Sequence, residues 1–265
     1  MRHLTRVVAL AVAIAALAAI LGACNGNGEN DDPTALPSPR TLLDDATNQI
    51  SSASSFTIEI SVSGMPVRIQ VGDIALPEEI PLIFEYARGT FVAPDRLQAA
   101  IDIRVGDAVA RTELIALGPD QYMRSDLLTQ GSWVAEQVIS GFSPADLMAP
   151  ETGIPSALAK VQNLEMVERT DLDGVPVYHL TGTIDAADMH SLTFGLMGAR
   201  VGAMQIDLYV LTEGHWLEQI VMQEPLPEES TEEGDEPTRW TISVLDYNQD
   251  VTIEAPAPTS EQAQP

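Results

Sequence analysis

The side chains able to do chemistry are few and scattered. Cys24 is the only thiol in 265 residues, Lys160 is the only lysine, and the histidines are His3, His179, His190 and His215. A thiol can act as a nucleophile or metal ligand, and histidines at helical spacing can hold zinc. No two histidines stand at i, i+3 or i, i+4, so that zinc arrangement is missing. Gly141-Phe142-Ser143-Pro144-Ala145 lacks the closing glycine of a G-x-S-x-G nucleophile turn. Lys160 follows no phosphate-cradling glycine loop. Gly195, Gly198 and Gly202 lack the strand-to-helix frame of a dinucleotide site, and a helix exit explains them better. Asp171-Leu172-Asp173-Gly174 has the tail of a calcium loop without its first ligand or closing Glu; a hairpin turn is expected there. Acidic pairs are plentiful enough for a glycosidase-like couple, but three Trp offer few sugar platforms. His179 falls on the polar face of a strand, where a solvated imidazole is expected. The residues therefore predict no enzyme, no catalytic residue, no metal and no cofactor.

Cys24 differs because of what precedes it. Arg2, His3 and Arg6 make a basic head, Val7 to Ile20 is uninterrupted and apolar, and Leu21-Gly22-Ala23 leads into the cysteine. That order is an export signal, and its end matches the lipobox of bacterial lipoproteins. The match implies a diacylglycerol on the Cys24 sulfur, cleavage before it, and a third acyl chain, such as palmitate, on the new α-amine. A transmembrane anchor needs about 20 apolar residues and basic flanks. Here the run is rich in alanine, and Glu29, Asp31 and Asp32 follow. A soluble secreted chain cut after Ala23 is the other alternative. Residues 1–23 are thus expected to be a signal peptide. The mature chain is expected to be lipid-anchored on the extracytoplasmic side of the cell membrane or envelope, since two or three acyl chains hold a protein stably. A single cysteine permits no intrachain disulfide, so the fold must rely on its core.

The charge limits the partners. The chain carries 13 Lys+Arg against 39 Asp+Glu, a net charge of −26 that the loss of Arg2 and Arg6 makes two units more negative. Nucleic acid is excluded as a partner, because its affinity comes from neutralising phosphates. Anionic head groups repel such a surface too, so membrane attachment falls to Cys24.

Beyond the cysteine, residues 24–40 read as a disordered tether of Asn, Gly, Asp, Pro and Ser. Thr41 with Asp44 predicts a capped helix whose face is Leu42, Ala46, Ile50 and Ala53. Phe56, Ile58, Ile60 and Val62 then alternate with polar residues, which predicts a one-sided strand. The same period places Leu97, Ala99, Ile101, Ile103 and Val105 on one face of a second strand. It does so again for Met204, Ile206, Leu208 and Val210, and for Trp240, Ile242 and Val244. Gly106-Asp107, Gly118-Pro119-Asp120, Asp173-Gly174 and Glu213-Gly214 predict hairpins. Ser143-Pro144 predicts a short helix through Met148; others are predicted over Pro155 to Gln162 and Ala186 to Leu196. The fold class is α+β, a large antiparallel sheet with helices on its apolar face. Asp73 to Pro81 reads as a lid or crossover, and Glu224 to Thr238 as an acidic, disordered flap.

Several segments together resemble the LppX/LprA/LprF/LprG lipoproteins of the actinobacterial envelope. They are the lipobox at Cys24, the opening helix into Ser54-Ser55-Phe56, and the strand Gly89 to Arg96 that turns at Pro94. Asp173 to Ile184, and Trp240 to Tyr247 followed by Val251 to Pro256, complete the set. The resemblance implies an open half-barrel over residues 41–256, similar also to the LolA/LolB carriers, with short helices on the concave face and a disordered tail at 257–265. It implies a lipid or lipoglycan ligand held by its acyl chains, and a lipid transporter as a partner. The apolar faces of the alternating strands need a cover, and the candidate walls of an incompletely covered groove are Phe56, Ile58, Ile60, Leu97, Ile101, Ile103, Met204, Ile206, Leu208, Ile242 and Val244. The acidity, the Asp73–Pro81 segment and the acidic flap depart from better-known members. The alternative is a surface interaction or assembly lipoprotein whose core is closed and holds no ligand.

Overall fold

A computed structural model of the chain describes residues 36–69, 81–135, 142–189, 192–193, 196, 202–226 and 236–257. The chain divides into Met1–Pro37 and Ser38–Pro265, and nearly all described residues belong to the second unit. The expected signal peptide, Cys24, most of the tether, Asp73 to Ile80, His190, most of the acidic flap and most of the tail lie outside the described residues.

Helix α1 spans Pro39–Ser52. It begins before the expected Thr41 cap, because Ser38 is the capping residue: its Oγ accepts a hydrogen bond from the Thr41 amide at 3.1 Å. Pro39 in the first turn supplies the helical φ in advance and has no amide to orphan. Leu42, Leu43, Ala46 and Ile50 are all 0% exposed. Each buried leucine or isoleucine contributes about 1.5–3 kcal/mol, so the helix is held by packing on the sheet.

Among the described residues, twelve strands form one antiparallel sheet. They are β1 (Ser55–Ser63), β2 (Val67–Ile69), β3 (Leu82–Val92), β4 (Arg96–Val105), β5 (Ala108–Leu117) and β6 (Asp120–Ser125). The others are β7 (Val134–Ala135), β8 (Gln162–Leu172), β9 (Val175–Asp185), β10 (Ala203–Leu211), β11 (Leu217–Gln223) and β12 (Arg239–Leu245). Their spatial order is β7-β6-β5-β4-β3-β1-β12-β11-β10-β9-β8, with β2 on β3. The sheet is thus two hairpin meanders joined where β1 pairs with β12. Its edges β7 and β8 do not pair with each other, so the α+β half-barrel stays open.

The turns follow their residues. Asp173 and Gly174 both have positive φ, 53° and 91°, as the tight β8–β9 hairpin requires. Gly64, at φ 82°, bends the chain between β1 and β2, and a Cβ there would lie 2.2 Å from the Pro237 carbonyl oxygen.

Between the edge strands the chain makes a 3-10 helix, Pro144–Met148, and helix α2, Ile154–Ala159. The Ser143 amide donates to Asp146 Oδ2 at 2.8 Å. Helix α2 is shorter than expected: Lys160 ends it and Gln162 already opens β8. Of the third expected helix, the described residues show a 3-10 turn at Ala186–Met189 and the Thr193 amide donating to the Met189 carbonyl at 3.1 Å.

The ends of the acidic flap are ordered, against expectation. Glu224 is 6% and Thr238 8% exposed, and the Trp240 indole Nε1 donates to Glu224 Oε1 at 2.8 Å. A buried indole N–H needs an acceptor, and this carboxylate supplies it.

Candidate functional site

The concave face is built by register. Ile58 pairs with Val244 and with Gly89, and Ile60 with Ile242 and Ala87. On one side Ile242 continues to Ile220, and Ile220 to Leu208 and Leu180. On the other, Gly89 continues to Ala99, Leu114 and Met123. All eleven wall residues expected from the sequence lie on this one apolar surface. Ten of them are at most 5% exposed, while Ile101 is half-buried.

Cover over this surface is uneven. Helix α1 packs on α2 and over β8, β10 and β11, whereas the 3-10 helix lies against β4. One group of half-buried apolar side chains lies on β1 to β4: Val62, Val67, Ile69, Leu82, Ile101 and Val105. A recess of about 290 Å³ opens at the same end, lined by Val62 to Pro66, Ile83 to Glu85 and Arg104.

Polar side chains interrupt the apolar face on β5 and β6. Thr112 on β5 and Ser125 on β6 are cross-strand partners, each 2% exposed, and neither hydroxyl has a hydrogen-bond partner. Sequence reasoning missed both, since a hydroxyl carries no periodic signal of its own. Gln121, also buried on that face, is satisfied by donating to the Phe142 carbonyl at 3.0 Å.

The convex face holds the charge. Arg88 pairs with Glu59, Arg124 with Glu113, and Arg104 with Glu85 at 2.6 Å. Arg111 meets Asp102 through two bonds of 2.8 Å, which hold the Asp102 carboxyl below its ordinary range. These pairs are exposed, so each contributes little stability.

His179 is not simply solvated, as expected, but held. Its Nε2 lies 3.0 Å from Asp207 Oδ1, and its ring stacks on Tyr209 at 4.6 Å. His215 Nδ1 lies 2.8 Å from Asp45 Oδ2 beside a polar recess of about 560 Å³ that also takes in Asn48, Gln49 and Ser52. That recess sits on the solvent side of α1, away from the apolar face. Among the described residues, no three His, Cys, Asp or Glu side chains gather as a metal site. Nor is any described helix long and apolar enough to cross a membrane.

Tyr247 closes one end of the core. It packs on Trp216 at 4.4 Å, and its hydroxyl donates to the Leu217 carbonyl at 2.7 Å. Burial, then the Glu218 carboxylate, pushes the phenol well above its ordinary value, and burial also raises Glu218.

Two solved structures of lipoproteins share this architecture. LprF from Mycobacterium bovis superimposes with a TM-score of 0.61 at 19% identity, covering 84% of this chain and 100% of that one. Lipoprotein LppX from Mycobacterium tuberculosis gives 0.51 at 18% identity, covering 82% and 100%. A LolA superfamily protein from Nitrosomonas europaea matches at 10% identity with a TM-score of 0.26, over 82% and 96%. No curated protein matches the chain. The profile of the LppX_LprAFG lipoproteins matches residues 38–253, spanning both meanders and the helices between them, and the chain belongs to that family.

Proposed function

We propose that this chain is an exported lipoprotein, anchored through acylated Cys24, whose half-barrel holds the acyl chains of a lipid or lipoglycan and carries or presents them at the membrane. The observation that carries this reading is the incomplete cover of the concave face. Val62, Val67, Ile69, Leu82, Ile101 and Val105 form a half-buried apolar patch on the first meander, away from α1, which packs over β8, β10 and β11. Family membership supports it, because the matched profile is that of lipoproteins.

The mechanism is physical. Each methylene moved from water onto such a surface gains about 0.8 kcal/mol, so a few acyl chains bind tightly without any bond being made. The eleven wall residues form the floor, with Ile101 at its open part, and no catalytic residue is required. Residues 24–40 would act as the leash and 41–256 as the carrier domain.

The second reading is an interaction lipoprotein with a closed core, favoured by the near-complete burial of every wall residue except Ile101. Native mass spectrometry of the purified protein separates the two. Co-purified acyl lipid is expected with the natural chain. Ile101→Arg, which places a charge on the open part of the floor, should lose it while keeping the thermal midpoint within a few degrees. A natural chain that carries no lipid and takes none from vesicles would sink the carrier reading and leave the closed core.

A further inference from the structure

The hydroxyl pair at Thr112 and Ser125 is unusual in an apolar face. A buried hydroxyl without a partner is destabilising, and valine or alanine in the same strands would remove the penalty. Both hydroxyls sit in one row that crosses β3 to β6 as Ala87, Ile101, Thr112 and Ser125. Ala87 and Ile101 are half-buried, so the row leads from the open part of the floor to the two orphaned groups. No inward position of β3 to β6 carries an ionisable side chain, and Arg88, Arg104, Arg111 and Arg124 are paired on the opposite face.

Resting on the acyl-chain reading above, we propose that Thr112 and Ser125 form a polar subsite that donates hydrogen bonds to the uncharged carbonyl oxygen of an acyl ester. A carboxylate or phosphate brought to this row would be buried without a counter-charge, which is strongly unfavourable. A bare hydrocarbon would leave both hydroxyls unpaired. An ester carbonyl has two lone pairs and apolar chains on either side, which fits two donors set in an apolar floor. The subsite therefore selects esterified acyl chains over free fatty acids.

The test uses purified full-length protein and three competitors of a pyrene-labelled acyl probe: dioctanoylglycerol, its diether counterpart and free octanoate. The natural chain should prefer the ester to the other two. Thr112→Val with Ser125→Ala should weaken the ester about fivefold to tenfold and leave the diether unchanged, with a thermal midpoint equal to or above that of the natural chain. Equal weakening of ester and diether would show the hydroxyls to be structural and overturn the inference. Unchanged ester affinity would do the same, leaving water as the hydroxyls' partner. A natural chain that binds the ester and the diether equally overturns the subsite alone, whereas one that binds no competitor and no probe overturns the acyl-chain reading beneath it.

Discussion

Tyr247 couples the stability of the domain to alkaline pH. Its phenol is held protonated by burial against Trp216 and by the Glu218 carboxylate. In the unfolded chain it ionises near its ordinary value of about 10. Above that pH the unfolded state binds fewer protons than the folded one, so rising pH favours unfolding. Tyr86 and Tyr209 are raised too, with burial as the leading cause, and Tyr247 carries the largest share. Tyr247→Phe should flatten the alkaline fall in thermal midpoint. It should also cost about 1 kcal/mol at neutral pH for the bond to the Leu217 carbonyl. An unchanged alkaline limb would show that the phenol ionises without unfolding. None of this was legible in the sequence, where Tyr247 lies in a run that reads only as the end of a strand. The shared apolar face was legible, because a period of two is enough to place Phe56, Ile58 and Ile60 together on one side of β1. Thr112 and Ser125 were not, since their importance comes from partners they lack.

At the scale of elements, α1 is the piece whose removal should cost most. It supplies four fully buried side chains from fourteen residues and lies over the strands of the second meander. Leu43→Ala should lower unfolding free energy by about 2–5 kcal/mol, and Ser38→Ala by about 1 kcal/mol, both readable by denaturant titration. A negligible Ser38 effect would show the cap to be idle. The same Ser-Pro signal marks both Ser38-Pro39 and Ser143-Pro144. At Ser38 it is hidden by the Pro and Ser content of the segment before it, which resembles a tether. Strand β8 was illegible for another reason. As an edge strand it is mostly exposed, with Val167 at 50%, so one-sided burial left little alternation to read. The long β3 and β5 emerge clearly only through their pairing, since β3 carries a register shift between Phe84 and Tyr86.

At the scale of the whole molecule, charge and topology are set against each other. A net charge of −26 repels itself, while Arg88, Arg104, Arg111 and Arg124 of the first meander are spent in cross-strand pairs. Raising ionic strength from about 10 mM to about 150 mM screens the long-range repulsion more than the short contacts. The thermal midpoint should therefore rise with salt. A fall would mean that the convex ion pairs outweigh the repulsion.

The seam between β1 and β12 sets the order in which the molecule can be assembled. Each meander is made of hairpins and can form from neighbouring sequence, but the strand that joins them, Arg239–Leu245, comes almost last in the chain. Ser54 and Ser55 also wait for Asn248 and Gln249, to which they bond at 2.8 Å and 2.7 Å. A chain delivered from its N-terminus thus exposes the inner edge of β1 until the last strand arrives, and the seam is a long-range contact of the kind that slows folding. The apolar face is consequently continuous only after β12 has docked, so a chain cut short before Arg239 would have two separate half-faces.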